Sequence, residues 1–216
     1  MRLFAHPFSS YCQKALIAFY ENGVPFDYRM LDPEHPENGA ELKRLWPVGK
    51  FPVLEDDSQV VPEATSIIEH LHLHHPGPVR LIPEGPAQAA RVRMLDRVFD
   101  NYVMAPMTLI VKDVFRPGDA REPTDAAESH ALLDTSYAWL EERLPEDGWM
   151  AGDFGLADCA AAPSLFYADW VHEIPKTHPR LRAYRTRLLA RPSVARAVDE
   201  ARPFRHLFPP GAPDRD

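Results

Sequence analysis

The sequence predicts an α/β unit followed by an all-α unit, and three observations carry that expectation. Short strand-like and helix-like stretches alternate as far as His75, prolines and glycines crowd the next segment, and beyond it only helical periodicity recurs. A chain of 216 residues has room for two such cores.

The elements follow in order. Residues 2–5 read as a strand, and residues 9–22 as a helix, with Cys12, Leu16, Phe19 and Tyr20 at helical spacing and Gly23 as its stop signal. Alternation marks residues 26–31 as a second strand, and a short helix covers 37–46. Residues 51–54 and 59–61, on either side of Asp56-Asp57-Ser58, form an antiparallel hairpin, and a helix over 63–74 closes the unit at residues 1–76. The strand-helix-strand opening requires a crossover with parallel pairing. Pro76, Gly77, Pro78, Pro83, Gly85 and Pro86 can continue neither helix nor central strand, so residues 77–86 are a linker. Residues 87–201 hold helices at 87–115, 125–144, 156–170, 180–191 and 193–201, with Pro106 and Pro163 expected to kink theirs or open a turn. Residues 202–216 form an extended tail whose Phe204, Leu207 and Phe208 pack back on the body.

Composition removes several function classes. Apolar residues at 45% and charged residues at 26% describe a globular protein rather than a disordered or fibrous one. The 24 Lys and Arg against 32 Asp and Glu give a net charge of −8, the wrong sign for neutralising phosphates, so nucleic acid is not an expected partner. Without an apolar run of about 18 residues or a basic-then-apolar leader, the expectation is a cytoplasmic protein with no membrane partner. Cys12 and Cys159 make neither a disulfide framework nor a zinc pattern.

Three features can carry chemistry. Ser9 stands at the strand-to-helix junction, where unpaired N–H groups favour an anion such as a thiolate; it reads equally as a plain N-cap. Pro52 opens a strand, where its missing N–H is tolerated, and either peptide isomer fits that position. Pro62-Glu63-Ala64-Thr65-Ser66 leaves a hairpin for a helix start, where backbone N–H groups can hold a carboxylate and Glu63 an ammonium; a first-turn Glu complementing the helix dipole is the plainer alternative. His70 and His74 make an i, i+4 pair, but no acidic or thiolate third ligand lies in the same run, and no metal is expected.

Taken in order, Ser9-Ser10-Tyr11-Cys12, Phe51-Pro52-Val53-Leu54, Pro62-Glu63-Ala64-Thr65-Ser66 and Gly152-Asp153-Phe154-Gly155-Leu156-Ala157-Asp158 resemble the motifs of the cytosolic glutathione transferases, across essentially the whole chain. The resemblance implies a thioredoxin-like domain, a helical bundle, glutathione as cosubstrate, an apolar electrophile as second substrate and a homodimer. It implies a cis peptide at Pro52, glutathione held by Ser10, Lys50, Phe51, Pro52, Glu63 and Ala64, and Ser9 as the partner of its sulfur. Phe8, Tyr102, Met107 and Val111 would line the electrophile pocket. The chain departs from the pattern with Ala64 after the Glu in place of Ser, Gly155 in place of a Ser or Thr cap, and Ser9 where the redox members carry Cys. Cys12 is expected in the first helical turn with its sulfur facing the protein and its pKa high.

Overall fold

The computed structural model describes residues 1–115 and 123–216. Strands β1 (Arg2–Ala5), β2 (Asp27–Met30), β3 (Val53–Asp56) and β4 (Gln59–Pro62) form a four-stranded sheet in the order β2-β1-β3-β4. Helix α1 (Ser10–Asn22) is the crossover that makes β1 and β2 parallel, with Leu3 opposite Tyr28, while β3 and β4 form the expected antiparallel hairpin. Alternation along β1 sends side chains to both faces. Leu3 and Leu54 join α1 and α3 (Ala64–His74) in the main core, whereas Phe4 and Val53 pack on Leu42 of α2 (Pro36–Leu45) in a smaller cluster. Gly23 ends α1 in the left-handed conformation, φ 60°, which only glycine adopts without penalty, and its N–H returns to the last turn.

The remaining helices are α4 (Pro86–Phe99), α5 (Ala105–Asp113), α6 (Pro123–Arg143), α7 (Leu156–Val171), α8 (Pro179–Ala190) and α9 (Pro192–Ala201). The linker is docked rather than loose. Leu156 N–H donates to Leu81 O at 2.8 Å where α7 begins, and Val79 N–H donates to Asn22 Oδ1 at 2.8 Å. This explains Gly155: a Cβ there would stand 2.6 Å from Leu81 O, so the linker excludes the larger cap residue. Asp158 carries the cap, its carboxylate accepting from the N–H of Gly155 and of Met150 at 3.0 Å each.

Three expectations are corrected. The segment read as one helix over 87–115 is two, because a π-helical turn at Asp100–Met104 separates α4 from α5. Its cause lies partly in Pro106, which cannot donate to the carbonyl four residues back, Tyr102 O; the Ser136 hydroxyl of α6 donates there instead, at 2.9 Å. Pro163 opens no turn in α7, which runs unbroken from Leu156 to Val171. The tail is not wholly extended: Arg202–Leu207 continues α9 as a 3₁₀ helix. Phe208 is buried and Phe204 rests edge-on against His6, as a tail packing back requires, but Leu207 is half-exposed. Among the described residues, no helix is long and apolar enough to cross a membrane.

Candidate functional site

The loop from β1 to α1 is held from below. Tyr167 of α7 donates its hydroxyl to Phe8 O at 2.9 Å and accepts from Gln13 Nε2 at 3.1 Å, while Gln13 also donates to Pro7 O at 3.0 Å. Ser9 caps α1 with extended backbone, and its Oγ accepts the Cys12 N–H at 3.4 Å. Cys12 points inward with no solvent exposure, and burial pushes its thiol up to about 12 against the opposing hydrogen bonds from Ser9 and the His6 N–H. It is therefore a thiol, not a thiolate, at neutral pH.

Two cavities meet at the start of α1. One, of about 300 Å³, is walled by Phe8, Met107, Val111, Tyr167 and Phe208, with Ser9 and Ser10 on its floor. The other, of about 210 Å³, is polar and brings together Lys50, Phe51, Pro52, Glu63 and Ala64. Tyr11 lines both. The Phe51–Pro52 peptide is cis, and Phe51 is partly exposed beside the polar cavity. Glu63 holds φ 72°, a conformation costing a non-glycine residue about 1–3 kcal/mol, immediately before α3. The leading amides of α3, that of Ala64 first, have no partner inside the helix, the arrangement that favours an anion at a helix N-terminus.

Beneath the polar cavity lies a buried ionic network. Lys14 Nζ, with no solvent exposure, donates to Asp96 Oδ1 at 2.6 Å, Asp100 Oδ2 at 2.7 Å and Thr65 Oγ1 at 2.8 Å. Thr65 in turn donates to Asp96 Oδ2 at 3.0 Å, and Arg97 bridges Asp96, Asp100 and Thr65. Asp100 Oδ1 has no hydrogen-bond partner among the described residues, and Asp100 lines the cavity. Burial raises the Asp100 carboxyl above its ordinary range, with Lys14 opposing and Asp96 adding to the rise. Burial likewise pushes the Tyr11 hydroxyl up to about 12, with Asp100 and Glu63 adding, so it stays a donor.

The sequence-derived residues thus divide between the cavities. Lys50, Phe51, Pro52, Glu63 and Ala64 gather in the polar one, while Ser10 lies on the apolar side with Ser9. Phe8, Met107 and Val111 line the apolar cavity; Tyr102 does not and is 50% exposed, since it stands within the π turn, five residues before Met107 and off the stripe that α5 presents. Tyr11, Arg97 and Asp100 are not singled out by sequence. The available signal is Lys14, a charge on the apolar stripe of α1 that demands buried acidic partners.

Comparison with known proteins decides the family. The model of the glutathione S-transferase N-terminal domain matches residues 3–79, and that of the C-terminal domain matches residues 123–187. The chain belongs to the glutathione S-transferase family. Glutathione S-transferase GstB of Escherichia coli is 26% identical over 195 residues, covering 88% of this chain and 93% of its own. A probable maleylacetoacetate isomerase of Vibrio cholerae is 29% identical over 77% of this chain and 79% of its own. The crystal structure of a glutathione S-transferase from Methylobacterium radiotolerans in complex with glutathione sulfonate superposes with a TM-score of 0.79 at 28% identity, covering 91% of this chain and 93% of that one. The sheet with its helices and the helical half of this family member are the thioredoxin-like and all-α parts of that architecture.

Proposed function

We propose that the chain binds glutathione in the polar cavity and presents its thiol to an apolar electrophile in the adjoining one. The observation that carries this reading is the shared wall at Tyr11, where a charged cavity and an aromatic one meet beside the N-terminus of α1. Glutathione has an ammonium and two carboxylates. Glu63 and the unpartnered Asp100 Oδ1 suit the ammonium, the free amides at Ala64 the γ-glutamyl carboxylate, and Lys50 the other carboxylate. Ala64 removes one hydroxyl donor, worth about 1–3 kcal/mol, and the backbone amide carries that contact instead.

Ser9 turns its hydroxyl to donate a hydrogen bond to the sulfur and, with the α1 dipole, favours thiolate. The thiolate forms a C–S bond at the electrophilic carbon; the leaving group departs with its electron pair, or an added proton completes the reaction at an activated double bond. Each role falls to a group of this chain or to glutathione, and the reading assigns no metal to the reaction. It extends to a cytoplasmic homodimer removing toxic electrophiles, supported by family membership and by exposed apolar side chains such as Leu73 and Met94. A second reading, glutathione-dependent isomerisation by thiol addition and elimination, is favoured by the isomerase relative.

The test is calorimetric titration with glutathione, then steady-state kinetics with an aryl halide. Ser9→Ala is expected to lower kcat/KM roughly ten- to a thousand-fold, as for loss of one donor to a developing charge. Activity within two-fold of wild type, with Tyr11→Phe inactive instead, would transfer the role to Tyr11. The absence of heat or of a thermal shift at millimolar glutathione would make the chain a non-catalytic interaction protein on this fold.

A further inference from the structure

Away from both cavities, the β3–β4 hairpin and the far end of α3 bring three ligand-type side chains to one point. Asp56 ends β3, His70 lies on the buried side of α3, and His75 follows that helix; one donor atom from each lies within 4.8 Å of the other two. Both imidazole Nε2 atoms approach the same carboxylate oxygen, Asp56 Oδ2, at 2.9 Å for His70 and 2.6 Å for His75. The third ligand that the histidine run lacks in sequence is therefore supplied from the hairpin. The chain also selects a different histidine pair from the one its spacing suggests. His74 lays its ring against that of His70, centroids 4.5 Å apart, and His75 converges on the carboxylate.

We propose that Asp56, His70 and His75 form a binding site for a first-row divalent cation of the zinc type, with the fourth position open to water. Two imidazoles and one carboxylate are a donor set for zinc and its neighbours rather than for magnesium or calcium, which take oxygen ligands. The geometry is close to what the ion needs. Bonds of about 2.0–2.1 Å in a tetrahedron place donor atoms about 3.3 Å apart, so each Nε2 to Oδ2 separation widens by roughly half an ångström as the ion replaces the hydrogen bonds. The side chains are 8%, 15% and 32% exposed for His70, Asp56 and His75, which leaves an entry path on one side and holds the trio in place on the other. Bound there, the ion ties the hairpin to the end of α3. The N-terminus of α3 at Ala64 lies on the polar cavity, about 9 Å along the helix axis from His70 and farther from His75, so the site is separate from the proposed chemistry.

The experiment titrates the metal-free full chain with zinc chloride, followed by calorimetry and thermal melting without glutathione. One saturable site per chain of micromolar or tighter affinity is expected, with a melting temperature that rises as zinc is added and does not respond to magnesium. His75→Gln and Asp56→Asn should each weaken zinc binding at least tenfold, whereas His72→Gln, on the same helix but outside the trio, should leave it unchanged. No saturable heat in the wild type, an equal response to magnesium, or wild-type affinity in His75→Gln overturns the proposal. Should Asp56→Asn fail to fold, His75→Gln decides, since that side chain lies beyond the end of α3 and is the most exposed of the three.

Discussion

The two cavities that meet at Tyr11 are built by opposite means. The polar one stands on charges locked together from two helices, Lys14 of α1 with Asp96 and Arg97 of α4 and Asp100 just beyond it, and tied to α3 by the Thr65 hydroxyl. The apolar one is assembled from rings, with Phe8 edge-on to Tyr167 at 5.6 Å and Phe208 against Tyr167 and Trp170 at 6.2 and 5.1 Å. A charge network tolerates little change, because any orphaned member stays buried in a low-dielectric surrounding. An aromatic wall can lose one ring and close partly around the gap. The first arrangement suits one invariant ligand and the second a range of partners.

The largest expected effect breaks the first wall. Lys14→Met leaves Asp96, Asp100 and Thr65 without their shared donor and should cost about 3–5 kcal/mol of stability, read from urea unfolding. A loss under 1 kcal/mol would show that the network is not a unit. A pair of milder changes sharpens the contrast. Asp100→Asn should raise KM for glutathione about tenfold while the electrophile KM stays within two-fold, and Phe208→Ala should do the reverse. Both variants moving both constants alike would mean that the cavities are not functionally distinct. The smallest effect belongs to Cys12→Ser, expected to keep conjugating activity within two-fold because the thiol is buried, protonated and turned from both cavities. A mixed disulfide of Cys12 with glutathione in mass spectrometry, with activity lost in the variant, would reassign both nucleophile and reaction class.

The contrast also explains which features are legible in the sequence. Ser9, Pro52 and Glu63 announce themselves through local chemistry, a cap, a strand opening and a helix start, each readable within a few residues. Asp100 and Arg97 give no such signal, since their meaning depends on α4 crossing Lys14, a contact spanning 86 residues between Lys14 and Asp100. Tyr11 reads as an ordinary first-turn aromatic until both cavities are seen around it. The division of the helix over 87–115 is hidden for the same reason: Pro106 marks trouble, but Ser136, which satisfies the freed carbonyl, belongs to another helix. The tail reads as extended throughout because proline at the start of a helical turn and proline in an extended strap look alike in sequence.

The π-helical turn at Asp100–Met104 has a consequence for how such a protein diversifies. A turn of this kind amounts to one residue inserted into an α-helix, taken up by a single wider turn so that the helix beyond keeps its facing. Because the wide turn already absorbs the extra residue, loss of a single codon within it would restore a regular helix and leave Met107 and Val111 on the apolar wall. The turn is thus a place where the chain tolerates a change of length by one residue without re-aiming the apolar wall, and a comparison of side chains position by position would score that change as a gap.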